Sequence, residues 1–194
     1  MLLHHKKIYA LCDSELLLKY NLSLLEYVQK IEQHNIVYIQ YRDKVNSLDI
    51  QKENMLYLKS LIDIPIIIND NFELLEFCDG LHLGQEDLES LSKKFHLNKE
   101  STIKFIRKKY PSKILGISTH NEFEILEANK LDLDYIGLGA YRDSSTKDVP
   151  NTLGDNISYL AKISKHPVGA IGGVKIDDEI ENISYNVVGS GLLN

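Results

Sequence analysis

The chain contains only two cysteines, Cys12 and Cys78, and their separation matches no metal-ligand spacing. Both are read as reduced, buried thiols and not as nucleophiles. Basic runs are absent as well: 22 Lys and Arg stand against 28 Asp and Glu, a net charge of −6. That excludes a nucleic-acid groove and leaves the few basic residues as local anion ligands. No stretch approaches the roughly 18 apolar residues of a membrane span. The first seven residues, Met1 to Lys7, have no apolar core for a signal peptide, so the expected location is the cytoplasm. Low-complexity tracts, interdomain linkers and short tandem repeats are missing too.

What remains is an ordinary globular composition, 43% hydrophobic and 26% charged. The 194 residues are read as one domain spanning 1–194. Short apolar, β-branched runs alternate with helical patterns along the whole chain. Strands are expected at Ile8–Leu11, Ile36–Gln40, Pro65–Ile68, Gly80–Leu83, Ile114–Ile117, Tyr135–Leu138, Pro167–Ile171 and Asn186–Val188. Helical periodicity covers Leu22–Gln33, Asp49–Leu61, Asn71–Phe77, Lys99–Tyr110, Asn121–Asn129, Asn156–Ile163 and Asp177–Ile183, and the stretch Leu88–Ser112 reads as two helices broken near Asn98. Eight strands separated by helices imply a parallel sheet and favour a closed (β/α)8 barrel, slightly trimmed; an open doubly wound sheet is the alternative. The chain stops at Asn194, just after the eighth strand. A closing helix is therefore expected to be absent, leaving strand surface for a partner subunit in a homo-oligomer.

Polar and glycine residues recur directly after these strands, where a barrel of this type gathers its active-site loops. Arg42 and Lys44 follow the second strand at alternate positions, which in an extended segment point the same way, an arrangement suited to a diphosphate or simply to a solvated loop. Asp70, after Asn69, and Asp87 follow the third and fourth strands. Each is able to cap a helix, but together they suit a hard cation such as magnesium, which takes carboxylates and phosphate oxygens. His82 falls within a strand and reads as an interior histidine, while Gln85 is an amide available to a heterocycle. Ser118 and His120 end the fifth strand as a hydroxyl donor and a proton-exchanging imidazole, or as residues of a helix start. Ser144, Thr146 and Lys147 form a loop able to hold a leaving phosphate. Gly172-Gly173 and Gly189-Ser190-Gly191 follow the last two strands, where barrels bind phosphate groups.

The ordered set Gln40-x-Arg42-x-Lys44, Asn69-Asp70, His82-Leu83-Gly84-Gln85-x-Asp87, Gly116-x-Ser118-x-His120, Gly139-x4-Ser144-x-Thr146-Lys147 and Ile171-Gly172-Gly173 resembles the thiamine-phosphate synthase family over nearly the whole chain. The resemblance implies magnesium-dependent joining of 4-amino-2-methyl-5-hydroxymethylpyrimidine diphosphate to a thiazole phosphate, with release of diphosphate. It implies that Gln40, Arg42, Lys44 and Asn69 hold the pyrimidine diphosphate, and that Asp70 and Asp87 hold magnesium. Ser118 and Lys147 attend the departing diphosphate. Ser144, Thr146 and Gly173, with Ser190 and Gly191, face the thiazole phosphate. It further implies a dissociative reaction in which the thiazole nitrogen captures a pyrimidine methyl cation.

One loop departs from the family pattern: Ala140, Tyr141, Arg142, Asp143 and Ser144 stand where a Gly-Pro-aromatic sequence is usual. Two other functions share the barrel. A TenI-like thiazole tautomerase needs no diphosphate or magnesium and uses a histidine at the place of His120. A non-catalytic barrel binds a thiamine precursor or another protein.

Overall fold

The computed structural model describes residues 6–143 and 152–193. Eight strands form a closed parallel barrel in sequence order: β1 Ile8–Asp13, β2 Ile36–Arg42, β3 Ile66–Asn69, β4 Gly80–Leu83, β5 Ile114–Thr119, β6 Tyr135–Gly139, β7 Val168–Ile171 and β8 Tyr185–Val188. Closure is made by β1, which pairs with β2 on one side and β8 on the other. That pairing rules out the open doubly wound sheet. All eight expected strands form. β1, β2, β3 and β5 run one or two residues further than their apolar runs suggest, carrying Asp13, Arg42, Asn69 and Ser118 within the strands.

Helices α1 Ser14–Tyr20, α2 Leu24–Ile31, α3 Leu48–Leu61, α4 Gln85–Phe95, α5 Lys99–Lys109, α6 Glu122–Ala128 and α7 Asn156–Ile163 surround the barrel among the described residues. Local chemistry sets their limits. Ser23 and Glu26 form a reciprocal capping box that starts α2. The left-handed His96 ends α4, and Asn98 Oδ1 accepts the Ser101 N–H at 2.8 Å to start α5, dividing the helical stretch near Asn98 as the sequence predicts.

The segment Asp177–Ile183 is not the expected helix. The side-chain amide of buried Asn186 donates to the carbonyls of Lys175 at 3.0 Å and Asp178 at 2.9 Å. Those acceptors are thereby withdrawn from a helical ladder, and left-handed Asn182 turns the chain towards β8. Phe72–Phe77 winds as a tighter 3-10 helix.

Two apolar layers result. Ile39, Tyr41, Ile66, Ile68, Met55 and Leu58 belong to the core between barrel and helices. Inside the barrel, Tyr9, Ile67, Tyr135 and Val187 pack with Tyr38, Ile114, Ile171 and Tyr185. Gly116 makes room for this aromatic floor, since a Cβ there would lie 2.6 Å from the Tyr135 hydroxyl oxygen. After β8, a 3-10 turn at Ser190–Leu192 folds Leu192 and Leu193 inward as buried residues. No helix among the described residues is long and apolar enough to cross a membrane.

Candidate active site

Beyond the ends of β2, β3 and β4, Lys44, Asp70 and Asp87 come together at one corner of the barrel mouth. β2 stops at Arg42, and the turn that follows is built around buried Asp43. Its carboxylate accepts the Val45 and Asn46 N–H groups, each at 3.0 Å, the Asn46 amide at 2.9 Å and the Tyr41 hydroxyl at 2.7 Å. Burial alone would push the Asp43 carboxyl up, but these donors hold it down at about 2. Lys44 lies in this turn and not on an extended strand. Consequently Arg42 and Lys44 do not share one direction as the sequence spacing suggested. Arg42 pairs with buried Asp13 of β1 and lies 3.6 Å from Glu15, whereas Lys44 Nζ donates to Asp70 Oδ2 at 2.6 Å.

Asp70 is left-handed, with φ of 63°, a conformation Asp tolerates better than most residues. Its carboxylate also accepts the Gly84 N–H at 3.2 Å and the Asn69 amide. Asp87, in the first turn of α4, reaches the same carboxylate. Burial and the charge of Asp70 push the Asp87 carboxyl above the usual carboxylate range, with Lys44 opposing. Two crowded carboxylates beside one ammonium form a hard-oxygen donor set that fits a divalent cation. Among the described residues, no group of three or more His, Cys, Asp or Glu is placed to hold a metal ion by itself. Substrate oxygens would have to complete such a coordination shell.

Further round the mouth, Gln40 is buried at the upper end of β2 and Ser118 sits near the end of β5. His82 lies inside the barrel, with Nε2 at 2.9 Å from Ser118 Oγ and Nδ1 at 2.9 Å from the Tyr135 hydroxyl. Burial pushes its imidazole down to about 4 against the opposing charge of Asp70, so it is neutral near pH 7. Gln85 spends both ends of its amide within the protein, donating to the Ser118 carbonyl at 2.7 Å and accepting from Lys99 at 2.9 Å. It is therefore not left for a heterocycle. His120 is exposed and turned to Glu124, 2.9 Å away on α6.

The opposite side of the mouth is closed by contacts between the loops after β6 and β7. Tyr141 N–H donates to the Ile171 carbonyl at 2.8 Å, and Arg142 N–H to that of Gly172 at 2.9 Å. The Arg142 guanidinium grips Asp178 with bonds of 2.6 and 3.1 Å and donates to the Gly173 carbonyl at 3.3 Å. It also lies 4.2 Å from the centre of the Tyr141 ring. Gly173, with φ of 63°, is required by this approach: a Cβ there would meet Arg142 Cβ at 2.8 Å. The charge that departs from the family pattern thus ties the β6 loop to the glycine turn. Ser190 is half-buried and Gly191 exposed, both in the turn after β8. Ser144, Thr146 and Lys147 lie outside the described residues.

Sequence reasoning missed Asp13, Asp43 and the Arg142–Asp178 pair. An acid at each of the first two strand ends was visible as a signal; the Asp178 partner, 36 residues from Arg142, was not.

A family model described as thiamine monophosphate synthase matches residues 8–190. A thiamine-phosphate synthase of Picrophilus torridus is 29% identical over 181 residues, 90% of this chain and 82% of its own. Another, from Lawsonia intracellularis, is 33% identical over 177 residues, 87% of this chain and 74% of that relative. Among solved structures, thiamine phosphate pyrophosphorylase from Pyrococcus furiosus shares the fold with a TM-score of 0.72 at 20% identity, covering 97% of this chain and 87% of that one.

Proposed function

The chain belongs to the thiamine monophosphate synthase family, and from that premise we propose that it is a thiamine-phosphate synthase, a transferase of thiamine biosynthesis. It joins 4-amino-2-methyl-5-hydroxymethylpyrimidine diphosphate to thiazole phosphate. The bond from the pyrimidine methylene carbon to the diphosphate oxygen breaks, and the thiazole nitrogen supplies the electron pair of the new carbon–nitrogen bond. Diphosphate leaves with the electrons of the broken bond.

The arrangement of Lys44, Asp70 and Asp87 carries this reading. Lys44 and Arg42, with Asn69, attract the diphosphate oxygens and stabilise charge as it grows on the leaving group. Asp70 and Asp87 would hold magnesium, which supplies additional charge neutralisation when bound. Ser118 Oγ, 2.9 Å from buried His82, serves the pyrimidine as well as the departing diphosphate, and with Gln40 it orients the ring over the aromatic floor, so that its methylene faces the thiazole side. Gly173, Ser190 and Gly191 take the thiazole phosphate on backbone amides, and Ser144 and Thr146 serve the same substrate. Lys147 follows the departing diphosphate. Two independently held phosphate groups place the reacting atoms within one barrel mouth, which is where the rate gain comes from.

His120, exposed and bonded to Glu124, does not separate the two functions; the Lys44, Asp70 and Asp87 group, which a thiazole tautomerase does not need, favours the synthase. Incubation with both precursors and magnesium tests the proposal. Thiamine phosphate and diphosphate should appear in equal amounts, and Asp87→Ala should abolish both. Isomerisation of the thiazole without condensation would favour the tautomerase instead.

A further inference from the structure

Between Gln40 and Ser118 the barrel interior holds an unbroken hydrogen-bonded chain. Gln40 Nε2 donates to the Tyr9 hydroxyl at 2.9 Å, and the Tyr9 and Tyr135 hydroxyls are 2.7 Å apart. Tyr135 then meets His82 Nδ1, and His82 Nε2 meets Ser118 Oγ, each at 2.9 Å. Tyr9, Tyr135 and His82 are all buried. Every link belongs to a different strand, so the chain crosses the barrel from β2 through β1, β6 and β4 to β5.

Buried protons need acceptors, and with Gln40 Nε2 turned to Tyr9 the direction of every later link follows. Tyr9 accepts from Gln40, which leaves the Tyr135 oxygen as acceptor for its own proton. Tyr135, having accepted, donates to His82 Nδ1. Neither ring nitrogen of His82 bonds to a carboxylate, so the imidazole carries one proton, on Nε2, and donates it to Ser118. Among the described residues, the Ser118 proton is the one left without an acceptor. Turning the Gln40 amide over would reverse every link and convert Ser118 from a donor into an acceptor.

We propose that Tyr9, Tyr135 and His82 are positioning residues that couple Gln40 to Ser118, so that the two ends of the pyrimidine site are set together. With Gln40 Nε2 turned to Tyr9, its carbonyl oxygen accepts from the ligand while Ser118 donates to it. A heterocycle that presents a donor to Gln40 and an acceptor to Ser118 satisfies both at once. One that presents the opposite pattern must invert the whole chain. This rests on the synthase reading only for the identity of the ligand.

The test is a double-mutant cycle read by calorimetric binding of 4-amino-2-methyl-5-hydroxymethylpyrimidine diphosphate. In the otherwise unaltered protein, Gln40→Ala and Ser118→Ala should be non-additive, with a coupling of about threefold or more. In a Tyr135→Phe background the coupling should fall to unity, and binding of the thiazole phosphate should not change. Tyr9→Phe breaks the chain at the neighbouring link and serves if Tyr135→Phe does not fold. Coupling that survives both substitutions would overturn the proposal. Nitrogen-15 NMR of His82 supplies a readout independent of turnover or ligand. The proposal requires a proton on Nε2 and none on Nδ1 in the unliganded protein, with that preference lost in Tyr135→Phe. A proton on Nδ1, alone or with one on Nε2, would overturn it. If the tautomer is as required but the diphosphate does not bind, the chain stands and the synthase reading fails.

Discussion

Replacing Asp43 with asparagine leaves the size of the side chain almost unchanged and removes its charge. The carboxylate is buried and gathers two backbone N–H groups, an amide and a phenol. Asparagine would oppose its own NH2 to at least one of those donors. An aspartate moved from an ordinary 3.8 to about 2 corresponds, at about 1.4 kcal/mol per pH unit, to roughly 2 kcal/mol of stability. The sign follows from the depressed value. The contribution is complete above the pKa of the unfolded chain, near 4, and is lost as the pH falls through about 2. Urea denaturation at pH 7 should therefore place Asp43→Asn roughly 2 kcal/mol below the unaltered protein, or about 4–8 °C lower in melting temperature. The gap should narrow between pH 4 and pH 2 as Asp43 takes up its proton. Because the same turn carries Lys44, the variant should also raise KM for the pyrimidine diphosphate. A gap that is absent at pH 7, or equally large at both ends of the pH range, would refute the reasoning.

Three further outcomes follow from the geometry. Asp87→Asn removes one of two crowded like charges, so in chelator it should melt a few degrees higher, about 1 kcal/mol of stabilisation. Magnesium should raise the melting temperature of the unaltered protein but not of this variant, and a parallel rise in both would argue against Asp87 as a ligand. Gly116→Ala drives a methyl group into the Tyr135 ring and should cost about 1–3 kcal/mol by thermal melts. Arg142→Gln breaks a half-exposed ion pair, so stability should fall by less than about 1 kcal/mol. KM for the thiazole phosphate should nevertheless rise severalfold in steady-state assays, with that for the pyrimidine diphosphate unchanged.

The barrel was legible because its strands are short, mostly apolar runs, many of them β-branched, as parallel strands buried on both faces require. Asn98 was legible as a helix start for an equally local reason, its side chain capping the helix that begins at the next residue. What depends on competing local signals or on partners outside the segment was not legible. Ser14–Tyr20 is helical because Asp13 caps it, yet Asp13 ends an apolar run that already reads as a strand. Asp177–Ile183 has helical periodicity, but Asn186 takes the carbonyls a helix would need. In the site, the residue types were visible while their pairings were not. Alternation placed Arg42 and Lys44 on one face, but a turn around Asp43 sends them to acids on opposite sides. Arg142 had no role until Asp178 was seen beneath it.

The most direct measurement of the central claim is product formation from the two precursors with magnesium present and then chelated. Thiamine phosphate and diphosphate should accumulate in equal amounts with magnesium, stop when it is chelated, and stay absent in Asp87→Ala. Full condensation by that variant would contradict the assignment of the carboxylate pair, and no condensation by the unaltered protein would contradict the synthase itself.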